Sequence, residues 1–368
     1  NGWASSDALY TDTNWHHVTG VREGRTNMLY VDGVMQSETT MTDFVPSADF
    51  FHIGRQYGHL DDRYFHGKID DVRVYSRALT DAEIAEVMLG NTKMAGNPVP
   101  DRDALLDIRD ISSLSWSRGN TASSHDVYFG TDRDAVAGAD NSAPEFQGNQ
   151  TGTSLSLAGL VEFGGGDYYW RIDEIEAGGT VNAGTIWKFT VTDYLIVDNF
   201  ESYNNIDPPN AGSNRIFDSW IDGFGTTTNG ALVGNDLPPY AEQGVVQSGN
   251  QSMVYAYDNA GKTSEATLTV AKGDWTAEGV TKLSLWFRGG SGNAADRIFV
   301  ALNGTAVVYH DDASATQLSG WNEWVIDLAT FGVDLANVNS ITIGIGTKNA
   351  PAAGGTGTMY FDEIGLIR

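Results

Sequence analysis

The chain of 368 residues carries 48 acidic and 22 basic side chains, a formal net charge of −26, and no cysteine. A field of that sign repels nucleic acid and anionic lipid, and the missing thiols exclude disulfides, thiolate nucleophiles, Cys-type zinc sites and iron–sulfur clusters together. Hydrophobic residues at 41% and aromatics at 11% suffice for folded cores in two or three domains, and no apolar run approaches the ~20 residues that cross a bilayer.

In chain order, strand and turn signals dominate. Tyr30-Val31-Asp32-Gly33-Val34 sets an Asp-Gly pair between apolar segments and predicts a hairpin. Thr80-Asp81-Ala82-Glu83 is a capping box; Ile84, Val87 and Met88 follow as an apolar stripe and Gly90 can end the turn, so one short helix is predicted here. Met94-Ala95-Gly96-Asn97-Pro98-Val99-Pro100 reads as a linker. Glu176-Ala177-Gly178-Gly179 predicts a second hairpin. Near Val191-Thr192-Asp193-Tyr194 one strand ends and another begins with almost no spacer, which predicts a fixed angle across that joint.

Further on, Leu283, Leu285 and Phe287 face one way along Lys282–Arg288, while Ser284, Trp286 and Arg288 face the other. Ile298, Val300 and Leu302 share a face before the third hairpin, Ala301-Leu302-Asn303-Gly304-Thr305. The expected fold is all-β, with three tandem β-sandwich domains of jelly-roll or immunoglobulin-like type over residues 1–95, 96–192 and 193–368 and one short helix.

Several motif sets carry family resemblances. Trp15-His16-His17-Val18, Leu29-Tyr30-Val31-Asp32-Gly33, Phe51-His52-Ile53-Gly54, Phe65 through Tyr75 and Arg77-Ala78-Leu79-Thr80 resemble the C-terminal half of a laminin G-like, concanavalin A-type jelly roll. That resemblance implies a missing first half and leaves the inner faces of Met28–Val31 and Val72–Tyr75 in need of a second sheet. Upstream polypeptide or a neighbouring subunit is therefore expected to complete residues 1–95. The opening Asn1-Gly2-Trp3 starts in mid-pattern without Met, which agrees with a chain that continues upstream.

Leu114-Ser115-Trp116, Asp126 through Gly130, Tyr168 through Asp173 and Gly184 through Val191 resemble a fibronectin type III-like sandwich, which implies burial of Trp116 and Trp170. Val197 through Tyr203, Gly249 through Met253, Asp274-Trp275-Thr276, Leu285 through Arg288 and Met359 through Ile364 resemble galactose-binding-like jelly rolls. Those are common among carbohydrate-binding modules of bacterial extracellular proteins. This last resemblance implies neighbouring first and last strands, with a structural calcium held by Glu201 and Asp362 plus loop carbonyls.

The remaining chemistry is sparse. His16 and His17 point to opposite faces of a strand, and the seven histidines show no HExxH or other metal spacing. Gly261-Lys262-Thr263 mimics the end of a P-loop, but Ala256 stands where its glycine belongs. Asp61-Asp62 and Asp311-Asp312 are adjacencies that 48 acids produce by chance. Sugars stack on aromatic faces with Arg, Asn and Asp bonding their hydroxyls. Trp220, Trp286, Trp321 and Arg288 are the candidate ligand residues for that purpose, while Trp275 is expected in the core.

These readings give a non-catalytic, calcium-stabilised glycan-binding or adhesion segment of a larger bacterial secreted or surface protein. Its partners would be polysaccharide or glycoprotein glycans, with no nucleic acid and no membrane insertion. The alternatives are a surface-layer, stalk or filament component, or accessory modules of a polysaccharide-degrading enzyme whose catalytic domain lies elsewhere.

Overall fold

The structure is a computed structural model that describes residues 4–6, 14–40, 53–54, 65, 67–88, 90 and 92–368. Phe51-His52, His59, Asp61-Asp62 and His66 lie outside the described residues. Two compact units divide the chain. The first takes Asn1–Ala95, Arg118–Ser123 and Asp173–Ala183; the second takes Gly96–Ser117, Ser124–Ile172 and Gly184–Arg368.

In the first unit, β1 (Val18–Glu23), β2 (Thr26–Val31) and β3 (Val34–Thr40) form an antiparallel sheet in that order. Asp32 (φ 51) and Gly33 (φ 75) close the β2–β3 hairpin with both central residues left-handed. Asp32 also accepts from the His17 amide at 2.9 Å and meets His16 Nδ1 at 2.7 Å, so these groups brace the turn. Helix α1 (Asp81–Met88) carries the predicted box: Thr80 Oγ1 accepts from the Glu83 amide at 3.3 Å, and Glu83 accepts from the Thr80 amide at 2.9 Å. Ile84 packs from it onto Val21, Tyr30 and Leu79. Val72–Tyr75 pairs with no strand among the described residues and is exposed, Val74 at 80%. A ladder needs a partner, so the expected strand is not formed there.

Residues 96–191 hold nine strands: β4 (Gly96–Val99), β5 (Ala104–Leu106), β6 (Ser113–Ser117), β7 (Ala122–Gly130), β8 (Phe146–Gln150), β9 (Ser154–Ser156), β10 (Gly166–Glu176), β11 (Val181–Asn182) and β12 (Trp187–Val191). One sheet runs β5-β12-β10-β7-β8 with β11 beside β10; the other runs β4-β6-β9. Trp116 and Trp170 are buried, as the resemblance implies, with ring centroids 6.3 Å apart. A second helix, α2 (Arg133–Gly138), was not predicted; Asp132 caps it through the amides of Asp134 and Ala135. Arg171 donates to the carbonyls of Val136, Ala137 and Ala139 at its C-terminal end.

The short joint is tied down. Asp107, fully buried, accepts from the Arg109 guanidinium and from the Ile196 amide at 2.8 Å, and Arg109 donates to the Ile196 carbonyl at 3.0 Å.

Residues 193–368 hold β13 (Leu195–Asp198), α3 (Ile216–Ser219), β14 (Trp220–Ile221), β15 (Leu232–Val233), β16 (Met253–Ala260), β17 (Ser264–Thr269), β18 (Lys282–Arg288), β19 (Ile298–Leu302), β20 (Ala306–Tyr309), β21 (Asn322–Asp327), β22 (Ser340–Ile345) and β23 (Ala353–Ile367). The first sheet is β15-β16-β23-β18-β21 with β13 beside β23; the second is β14-β17-β22-β19-β20. Their inner faces meet in one core that includes Tyr255, Trp275, Leu285, Phe287, Val300, Ile343 and Phe361. The described residues thus hold three short helices rather than one, and none is long and apolar enough to cross a membrane.

Candidate functional site

Alternation gives each sheet of residues 193–368 a second, outward face. On the first sheet Phe287, Phe361 and Met253 point inward, so Trp286, Arg288, Tyr360 and Val254 point outward. The register aligns Arg288 with Tyr360 and Tyr360 with Val254 in one row. The next row aligns Glu323, Trp286 and Asp362. Trp286 and Tyr360 are therefore diagonal neighbours on adjacent strands, within reach of one another and of one pyranose ring. Trp286, Arg288 and Tyr360 are half-exposed and Glu323 and Thr358 are exposed, which makes this an open platform with two rings, one guanidinium and carboxylate and hydroxyl groups.

The outward face of the second sheet is closed. Phe299, Ala301 and Thr342 stand on it, yet Phe299 and Ala301 are fully buried and Thr342 is 2% exposed. Gly344 explains part of this: a Cβ there would meet the Phe299 ring at 2.0 Å, so the ring fills the space above the glycine. Tyr309 packs 5.6 Å from the Phe299 ring, and Lys348, 9% exposed, bonds Glu265 at 2.5 Å. The Thr267 and Thr342 hydroxyls satisfy each other at 2.8 Å.

Trp220 does not belong to a ligand site. The β14–β17 register sets it opposite Leu268 on the inner face, fully buried, where Nε1 donates to Asp198 at 2.8 Å. A buried indole seeks one such acceptor, so the core position and the lone carboxylate explain each other. Burial raises the Asp198 pKa despite donors from Tyr203, Trp220 and the Phe200 amide. Trp321, just before β21, is half-buried and donates to the Val246 carbonyl at 3.1 Å, so it anchors a loop. Trp275 is 1% exposed, as expected.

That loop, residues 244–251, is held by the predicted metal ligands. Asp362, fully buried, accepts from the amides of Gln247 at 2.8 Å and Ser248 at 3.3 Å. Glu201 accepts from the amides of Asn250 at 2.8 Å and Gln251 at 3.1 Å. Glu363 takes the Ser248 hydroxyl. The structure thus brings Glu201 and Asp362 to one loop. Burial pushes the Asp362 carboxyl up to about 6; the three amide donors of Gln247, Ser248 and Glu363 oppose the rise and the Glu363 charge adds to it.

Phe200 (φ 64) and Glu363 (φ 48), each adjacent in sequence to one of these acids, are non-glycine residues in the left-handed region, a strain of order 1 kcal/mol each. Calcium takes roughly six to eight hard oxygens. The donor set fits in kind, since Glu201 Oε2 and Asp362 Oδ1 each receive a single N–H and keep a lone pair. Among the described residues no three His, Asp or Glu side chains converge on one point, so carbonyls and water would complete a shell.

Sequence reading missed Tyr360, although Phe361 in the core makes its neighbour outward; the signal lay in the strand's own alternation. It also missed Phe299 and Lys348, whose closure of the second face depends on strand pairing.

The family described as the Concanavalin A-like lectin/glucanases superfamily matches residues 2–85. No curated protein matches the chain in sequence. Among solved structures, the chain is similar to a family 11 carbohydrate-binding module from Clostridium thermocellum in complex with a β-1,3-1,4-mixed-linked tetrasaccharide. The identity is 21%, the match covers 40% of this chain and 94% of that one, and the TM-score is 0.26. It is also similar to the K2 cleaved adhesin domain of Lys-gingipain, at 14% identity over 46% of this chain and 98% of that one, with TM-score 0.29. A third similarity is to an S-layer domain-containing protein from Clostridium thermocellum, at 28% identity over 23% and 43%, with TM-score 0.20.

Proposed function

We propose that this chain is a non-catalytic glycan-binding segment of a larger bacterial secreted or surface protein, and that its sugar lies on the open face of β18 and β23. The observation that carries this reading is the placement of Trp286, Arg288 and Tyr360 as half-exposed neighbours on one sheet face. Aromatic faces take the apolar side of a pyranose, and Arg288 and Glu323 can bond its hydroxyls. The lectin-type match over residues 2–85 agrees with a glycan partner. A glycan array on the intact chain, followed by calorimetry on any ligand found, tests it: binding should weaken about tenfold or more in Trp286→Ala. Turnover of that glycan by the purified chain would contradict the non-catalytic part.

Two finer points belong to the same reading. Calcium at Glu201 and Asp362 would neutralise the buried acid and fix loop 244–251; millimolar calcium should then raise the melting temperature, and chelator should lower it. The three-module organisation, with a fibronectin type III-like middle, also belongs to it, and so does completion of residues 1–95 by upstream polypeptide or a neighbouring subunit. Val18 at 64%, Val34 at 62% and Val74 at 80% exposure support completion. Residues 1–95 expressed alone should show no cooperative unfolding transition.

A further inference from the structure

The open face of residues 193–368 runs further than Trp286 and Tyr360, and a third ring marks its far end. From Trp286 a diagonal step leads to Tyr360 on the next strand, and a second step in the same sense leads to Ala256, whose register partner is Leu232. Ala256 is half-exposed and Leu232 exposed, so an apolar line continues across β23 and β16 to β15. Three strand spacings of ~4.8 Å separate β18 from β15, which makes the line at least about 14 Å long, more than one pyranose ring covers.

Phe224 stands where that line ends. The Gly234 amide faces β16 and donates to the Val254 carbonyl at 2.9 Å, whereas the Val233 amide faces the other way and donates to Asp222 at 2.7 Å. Successive amides of a strand point to opposite sides, so Asp222 lies on the free edge of β15. The same carboxylate accepts from the Phe224 amide at 2.8 Å. The Gly223 amide donates to the Ala231 carbonyl at 2.9 Å, and a Cβ on Gly223 would meet the Asn229 carbonyl oxygen at 2.5 Å, so the backbone before Phe224 is pressed against the approach to β15. Gly223–Thr226 is a tight turn: the Thr226 amide donates to the Gly223 carbonyl at 2.9 Å, and Gly225 takes the positive φ of 76°. Phe224 therefore occupies the first corner of the turn, with its backbone fixed and its side chain 86% exposed. A ring held in this way gives up little freedom when a ligand covers it.

We propose that Phe224 is a distal stacking residue of the open face, and that the ligand there is a linear, neutral oligosaccharide lying from Trp286 to Phe224. The inference rests on the glycan reading of the same face and narrows it from a single sugar to a chain. Aromatic faces take the apolar side of a pyranose, and rings at both ends of one line are engaged together only by a ligand long enough to reach both. Thr358 and Arg288 flank the line and can bond hydroxyls. These polar groups also interrupt the contiguous apolar surface that a protein partner would need. The formal net charge of −26 favours a neutral chain over an acidic one.

The test is calorimetry on the full chain with cello-, xylo-, manno- and laminari-oligosaccharides, each as the disaccharide and the hexasaccharide. At least one hexasaccharide should bind about tenfold or more tighter than its disaccharide. Phe224→Ala should weaken that hexasaccharide about tenfold and leave the disaccharide unchanged, Phe224→Trp should keep the hexasaccharide affinity, and Trp286→Ala should weaken both ligands. The melting temperature of Phe224→Ala should stay at that of the unaltered chain, because the ring is exposed. Hydrogen exchange at residues 222–226 of the unaltered chain should slow when the hexasaccharide is added. Hexasaccharide affinity kept in Phe224→Ala but lost in Trp286→Ala overturns this proposal and leaves the platform standing. Affinity unchanged in Trp286→Ala overturns the platform and this proposal with it, and absence of binding by every one of these neutral chains overturns the proposal alone.

Discussion

The two outward faces of residues 193–368 arise from the same two-residue alternation yet end in opposite states. On β18 and β23, Trp286, Arg288 and Tyr360 stay half-exposed, while Asp362 in the Trp286 row is buried beneath loop 244–251. On β19 and β22 they include Gly344 and Ala301, and the Phe299 ring folds over the glycine and is fully buried. Across from Phe299 sits Gly344, which leaves the ring room to lie over the backbone, whereas Glu323 and Asp362 flank Trp286.

The largest effect that sharpens this contrast belongs to Trp220, which shares neither face. Trp220→Ala should cost about 3–5 kcal/mol in denaturant unfolding, because it removes a fully buried ring and one of the three donors to buried Asp198. A cost near that of a surface change would return Trp220 to the list of ligand residues.

Next comes the pH dependence beside the open face. Burial raises the folded pKa of Asp362 to about 6, above the ~3.9 of an unfolded aspartate, so the folded state binds more protons between those values. Its contribution is therefore fully present below about pH 4 and is lost as pH rises to about 6, a change on the order of 2–3 kcal/mol. Melting curves across that window should lose the Asp362 part of the slope in Asp362→Asn, while the other buried acid, Asp198, keeps its own. Saturating calcium should flatten it too, because a bound cation holds the carboxylate ionised.

Gly344→Ala tests the closed face. The added Cβ drives into the Phe299 ring, and overpacking of this kind costs about 1–3 kcal/mol. Phe299→Ala in the same chain should recover part of the loss, so that the double variant is more stable than the two single costs predict. Additive costs would mean that the ring does not depend on the glycine. The smallest effect is expected for Arg288→Ala, which should change stability by less than about 1 kcal/mol because the guanidinium is half-exposed on the open face.

Much of this was legible in the residues. The Asp32-Gly33 turn, the Thr80–Glu83 box and the inward set Leu283, Leu285 and Phe287 all follow from local chemistry. So did the outward placement of Trp286 and Arg288, since alternation over a seven-residue strand is unambiguous. Trp220 was misread because β14 is two residues long and carries no period to read. The tie from Trp321 to the Val246 carbonyl was not legible because the two are remote in sequence. Helix α2 escaped because six residues capped by Asp132 leave too short an apolar stripe. Closure of the second face lay beyond local reading altogether, since it depends on β19 pairing with β22 and bringing Phe299 across from Gly344.

The most direct test of the open platform is a paired measurement on Trp286→Ala: affinity for whichever glycan the intact chain captures, and melting temperature. The account predicts affinity lost by about tenfold or more with a melting temperature close to that of the unaltered chain. Affinity retained, or a loss of stability as large as that of Trp220→Ala, would contradict it.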